Sequence, residues 1–176
     1  MIATSPTRPS PAASPTARPA RNSRPWAGRA RVRDVQIDHA VLADFAEIVG
    51  GKLYLMGGGW DALRVNSLPA SARLAVAVGI RIAWEETNRP VAVRITIEDD
   101  DGRELVRIDG EVNLGRPPDL PPGTSQLAQL AANMAVPINE AGGYRIRITA
   151  GAGDGAAERS LPFRVVRLAG ATPGQP

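Results

Sequence analysis

From residue 34 onward, apolar and polar residues alternate with period two through most of the chain. Such alternation marks half-buried β-strands rather than helices. The clearest run is 73–84, where Leu74, Val76, Val78, Ile80, Ile82 and Trp84 share one face. Arg73, Ala75, Ala77, Gly79, Arg81 and Ala83 share the other. The first face is expected to be core and the second small or solvated. Val91, Val93, Ile95 and Ile97 repeat the pattern against Ala92, Arg94, Thr96 and Glu98. Val106, Ile108, Val112 and Leu114 line the next strand, with Gly110 placed to make a bulge. Further strands are predicted at 35–43, 53–56, 62–65, 144–148 and 159–168. The stretch 126–136 fits two periods, because Leu127, Leu130, Ala131 and Met134 also suit a helix. Its strand neighbours favour a strand, closed by Pro137.

The breaks in the pattern predict the connections. Asp44 with Glu47 three residues on resembles a capping pair for a single helical turn, stopped by Gly50-Gly51. Asp99-Asp100-Asp101-Gly102 reads as a turn, and Gly115 to Gly123, with four prolines, as a stiff loop. Glu140, then glycine, then Tyr144 at a strand start matches the tyrosine corner of immunoglobulin-like domains. Eight or nine short strands at this spacing predict an all-β fold, an antiparallel two-sheet β-sandwich of Ig-like or jelly-roll-like type. No helical stretch is long enough for a parallel α/β design.

Composition divides the chain. Residues 1–33 hold seven arginines, six prolines and no acidic residue. The remaining 14 basic groups face all 18 acidic ones, a formal charge of −4, so the basic balance belongs to the leading segment. That segment reads as a disordered Arg/Pro-rich tail, because prolines hold it extended and few apolar groups offset ordering. Residues 34–168 read as the folded domain and 169–176 as a disordered end. Cysteine is absent, which excludes disulfides and thiolate metal sites and fits a reducing compartment. No run approaches the roughly 18–20 apolar residues that span a bilayer, and no secretory signal is visible. A cytoplasmic protein without membrane partners is the expectation.

Candidate chemistry is sparse. His39 is the only histidine, at a strand position read as inward beside Ile37 and Val41, where a hydrogen-bonded structural role outweighs a catalytic one. With one histidine and no cysteine, no zinc site and no cofactor site is expected. Asp99, Asp100 and Asp101 lack the spacing of a calcium loop. Gly57-Gly58-Gly59 is followed by no Gly-Lys-Ser/Thr, so it is a bend beneath Trp60 rather than a phosphate loop. Arg116-Pro117-Pro118-Asp119-Leu120-Pro121 contains a Pro-x-x-Pro element, read as a rigid inter-strand loop.

The stretch Leu53-Tyr54-Leu55-Met56-Gly57-Gly58-Gly59-Trp60-Asp61 resembles a bacterial family, domain-of-unknown-function family 6941. So do Asp38 to Asp44, Trp84-Glu85-Glu86-Thr87-Asn88-Arg89, Gly115-Arg116-Pro117-Pro118, Leu120-Pro121-Pro122-Gly123 and Leu161 to Val166. The resemblance spans roughly 35–167 and implies a domain boundary; it carries no activity and no catalytic residue.

If successive strands alternate direction, loops 57–61, 84–89, 115–125 and 151–158 share one end of the fold. That end would gather Trp60, Asp61, Trp84, Glu85, Glu86, Asn88, Arg89, Arg116 and Asp119, the binding residues this sequence predicts. Clustered end loops are a common binding surface of sandwiches. The leading expectation is a non-catalytic cytoplasmic module that binds or scaffolds a protein partner or a second copy of itself. A second is a carboxylate enzyme using Glu85 and Asp119 at that end. A third is a nucleic-acid-associated protein acting through the basic tail.

Overall fold

The computed structural model of this chain describes residues 34–168. The expectations for 1–33 and 169–176 lie outside the described residues. Ten strands follow one another: β1 (Val35–Ala43), β2 (Phe45–Val49), β3 (Lys52–Met56), β4 (Ala62–Val65), β5 (Ala70–Ile82), β6 (Pro90–Asp99), β7 (Glu104–Asn113), β8 (Gln126–Ile138), β9 (Gly142–Ala150) and β10 (Ala157–Arg167). Short 3-10 turns at Trp84–Glu86 and Gly153–Gly155 are the helical elements among the described residues. The described chain is thus nearly all β, as the alternation predicts, and the ambiguous stretch at 126 is a strand.

The strands form three sheets: β1-β5-β8, β4-β10-β9-β6-β7, and the separate hairpin β2-β3. Every pairing is antiparallel except β4 with β10, which run parallel from Ala62 beside Arg164 to Val65 beside Arg167. The fully antiparallel expectation fails there for a topological reason. Residues 57–61 carry the chain to the edge of the five-stranded sheet, where the last strand already runs the same way. One core cluster draws side chains from both large sheets: Leu74, Val76, Val78, Ile80 and Ile82 from β5, Ile95 and Ile97 from β6, Ile146 and Ile148 from β9.

β1 corrects the reading of His39. Ile37 lies opposite Ile80, but His39 lies opposite Gly79, so Asp38 is an extra, bulged residue. The bulge reverses the phase of the strand. Ala40 and Leu42 then face the core opposite Val78 and Val76, while His39, Val41 and Ala43 turn to the reverse face. A Cβ at Gly79 would collide with the His39 ring, so the imidazole rests directly on the glycine.

That reverse face is not solvated, as the small residues of β5 suggested. Ala75 and Ala77 are fully buried, and with Ala43 and Ala46 they form a second cluster under the β2-β3 hairpin, joined by Leu53 and Ala131. The stretch at Asp44 is correspondingly a strand and not a helical turn. Gly50 and Gly51 both have positive φ, +56° and +75°, the conformation of a two-residue hairpin turn that only glycine adopts without strain. The capping signal yields to a distant partner. Asn133 Nδ2 donates to the Ala46 carbonyl at 2.7 Å and its Oδ1 accepts from the Ala46 amide at 3.2 Å. One side chain on β8 thereby replaces the neighbouring strand that β2 lacks.

Two outcomes test this packing. Ile80→Ala and Ile82→Ala, each at a fully buried site, should cost about 2–5 kcal/mol in urea unfolding. Asn133→Ala strands both polar groups of buried Ala46 and should cost about 1–3 kcal/mol, with hydrogen exchange accelerated in residues 45–56 ahead of the β5 amides.

Candidate functional site

Three of the four loops expected together do meet. The pairings Ile82 with Gln126, Pro90 with Asn113 and Val93 with Ala150 bring 84–89, 115–125 and 151–156 to one end. The chain ahead of β1 ends there too, since the Ala83 amide donates to the Asp34 carbonyl at 2.8 Å.

A hydrogen-bonded network fixes this end. Thr87, buried in its loop, donates its hydroxyl to the Trp84 carbonyl at 2.6 Å. The same hydroxyl accepts from Arg116 Nε at 2.6 Å, and Arg116 Nη2 donates to the Trp84 carbonyl at 2.8 Å. The guanidinium carbon sits 4.7 Å from the centre of the Trp84 ring, a cation–π arrangement. The Trp84 carbonyl and ring, rather than Glu85 or Glu86, hold the Arg116 guanidinium. Glu86 pairs with Arg89 at 2.8 Å, and Arg89 also donates to the Glu85 carbonyl at 2.7 Å. Asn88 takes a left-handed φ of 63° and its amide donates to the Leu114 carbonyl at 2.8 Å. Glu85 and Asp119 are exposed, Asp119 in the turn closed by the Leu120 amide on Pro117.

Beside this network lies a cavity of about 340 Å³, walled by Asp34, Glu86, Arg89, Val91, Ala92 and Gly151. Of the predicted residues, Glu86 and Arg89 line it, whereas Glu85 and Asp119 do not. The sequence reading missed Asp34, Ala92 and Thr87. The alternation that collects the loops also places the residue before β1 at this end, but a chain entry carries no loop signal. A buried loop threonine carries none either.

Trp60 and Asp61 lie elsewhere, which corrects their grouping with Trp84. Trp60 Nε1 donates to Asp44 at 3.0 Å, and its ring meets Phe163 edge-on at 6.1 Å. The Asp61 carbonyl accepts from the Arg164 amide. Phe163 stacks on Tyr144 at 5.4 Å, and Tyr144 pairs with Asp99. These residues thus belong to the half of the fold that carries the Asp99 turn. The cause is the hairpin: β2 and β3 turn back beside β1, with the Gly59 amide donating to the Leu42 carbonyl, rather than crossing to the opposite end.

The Asp99 end has its own organisation. The Tyr144 hydroxyl donates to the Glu140 carbonyl at 2.8 Å, the bond of a tyrosine corner. Asp100 accepts from the Gly143 amide at 2.9 Å, and Asp99 from the Arg103 amide at 2.8 Å. A cavity of about 290 Å³ opens between these turns. Two of its carboxylates, Asp99 and Asp100, are occupied with backbone amides. Among the described residues no group of three or more His, Cys, Asp or Glu side chains is placed to hold a metal ion.

Comparison with known proteins matches residues 38–166 to the family of unknown function DUF6941. This chain belongs to that family. The DUF6941 match covers the β1 bulge, the hairpin, both ends and most of β10, and stops short of Asp34. No curated protein matches. Among solved structures, the crystal structure of the C-terminal domain of wzt is similar, with a TM-score of 0.43 at 14% identity, over 77% of this chain and 75% of that one. Among the described residues no helix is long and apolar enough to cross a membrane.

Tyr144 gives this DUF6941 fold a pH signature. Burial raises its phenol above the ordinary 10.0, more than the bond to Glu140 lowers it, with Asp99, Glu140 and Asp100 adding to the rise. The folded state therefore holds the proton more tightly than the unfolded chain. The resulting stabilisation is complete below about pH 10 and is lost as pH climbs through the folded value. Tyr144→Phe should cost about 0.5–1.5 kcal/mol at neutral pH and flatten this alkaline loss in melts taken from pH 8 to 11.

Proposed function

We propose that this chain is a non-catalytic cytoplasmic module, residues 34–168, that binds or scaffolds a partner at the Trp84–Arg89 and Arg116 end. In this reading the three- and five-stranded sheets pack as an Ig-like or jelly-roll-like β-sandwich, supported by the core cluster they share. The cysteine-free composition suits a reducing compartment.

The observation that carries the reading is the cavity of about 340 Å³ beside a rim that is already fixed. Its size lies at the lower edge of ligand pockets, which run from roughly 300 to 1,000 Å³. Arg116 is locked on Trp84 and Thr87, and Arg89 on Glu86, so the surface loses little freedom when something docks. The carboxylate-enzyme reading has less support, because Glu85 and Asp119 stand outside the cavity and Glu86 is engaged by Arg89.

Amide shifts of the labelled protein, titrated with a library of small polar and aromatic fragments, test the proposal. Shifts should gather on residues 86–92 and 151–155, and Ala92→Arg, which fills the cavity from an exposed position, should abolish them. Shifts gathered on 99–105 and 139–144 would move the site to the other end.

A further inference from the structure

The β2-β3 hairpin covers the reverse face of the three-stranded sheet, but its own outer face has no cover in the described structure. The register pairs Phe45 with Met56, Glu47 with Tyr54 and Val49 with Lys52, and puts these six side chains on the side away from Ala46 and Leu53. Phe45 is 41% exposed, Val49 51%, Tyr54 51% and Met56 65%. Single exposed apolar residues are ordinary on a protein surface, but four on one face of a two-stranded hairpin form a contiguous patch of the kind that marks an interaction site. The face carries one anion, Glu47, and one cation, Lys52, the only lysine of the chain. Neither has an ion-pair partner among the described residues.

We propose that this face packs against the same face of a second copy of the chain, about a two-fold axis running parallel to the hairpin strands. The axis follows from the pattern of the face. With this axis each outward residue meets the copy of its own cross-strand neighbour. Phe45 meets Met56, a favourable sulfur–aromatic contact. Tyr54 meets Glu47, where the phenol donates to the carboxylate. Val49 meets the aliphatic stem of Lys52, whose ammonium reaches the Glu47 carboxylate of the second copy one residue pair away. An axis across the strands would instead set Glu47 against Glu47, a like-charge contact that disfavours it. The face is therefore complementary to itself in both shape class and charge, which is what an isologous dimer requires. It lies away from the Trp84–Arg116 end, so the proposal stands independently of the function assigned to that end.

Sedimentation equilibrium and light scattering on the full chain test it. The wild type should show a concentration-dependent monomer–dimer equilibrium. Tyr54→Glu places a second carboxylate against Glu47 and should weaken the dimer at least tenfold. Met56→Lys, at the most exposed site of the face, should do the same and keeps the test valid if Tyr54→Glu fails to fold. Glu47→Lys alone should weaken the dimer, and Glu47→Lys with Lys52→Glu should restore it. A wild type that is monomeric at every concentration overturns the proposal, as does a dimer indifferent to both Tyr54→Glu and Met56→Lys. A monomer that co-sediments with anionic phospholipid vesicles and loses this with Met56→Glu would assign the face to a lipid surface, and also overturns it.

Discussion

Burial of β5 on both faces is the constraint on which the rest of this structure depends. One face carries Leu74, Val76, Val78, Ile80 and Ile82 into the main core. The other carries Ala75, Ala77 and Gly79, small enough for a hairpin and an imidazole to lie directly on the backbone. Larger residues there would lift the hairpin off the sheet, and Asn133 would no longer reach the Ala46 main chain. The central strand thus sets the depth of two layers at once, through bulk on one side and its absence on the other. Close packing of this kind tolerates volume changes poorly on either face.

The polar groups are arranged in the same economical way. Asn133 substitutes for a strand at Ala46, Thr87 and Arg116 satisfy the Trp84 carbonyl, and Asp99 and Asp100 satisfy amides at the opposite end. Each is a side chain serving a backbone group that a ladder or helix would otherwise serve. The two ends differ in what remains. At the Asp99 end the Asp99 and Asp100 carboxylates are absorbed by turns. At the Trp84 end Arg116 and Arg89 are absorbed, and Asp34 lines a hollow beside the Glu86–Arg89 pair.

Much of this architecture is legible along the chain, because it rests on local periodicity. The alternation from Leu74 to Ile82 identifies the core face of β5 without error, and the neighbouring strands identify 126–136 as strand, although β8 runs on through Pro137 to Ile138 instead of closing there. Tyr144 with Glu140 is recognisable from spacing alone. The bulge at Asp38 is not, since one inserted residue leaves each half of β1 alternating normally and only the partner strand reveals the slip. The segment Phe45–Val49 misleads for another reason. Asp44 and Glu47 carry a helix-start signal, and the residue that overrules it, Asn133, lies 87 positions from Ala46. The loop end was legible wherever strands cross the whole body, as at 84–89 and 115–125. It failed for Trp60 and Asp61, where a hairpin folds back instead of crossing.

The placement of His39 has a practical consequence. This chain has a single histidine, and its ring lies over Gly79 at the centre of the β1–β5 ladder, beside the Asp38–Arg81 ion pair at 3.1 Å. The Cε1 proton of an imidazole resonates downfield of most carbon-bound protons, and here it belongs to one site. The fold therefore contains its own unlabelled reporter: a shift in that line registers a slip of β1 against β5 or a lifting of the layer above, without an engineered probe.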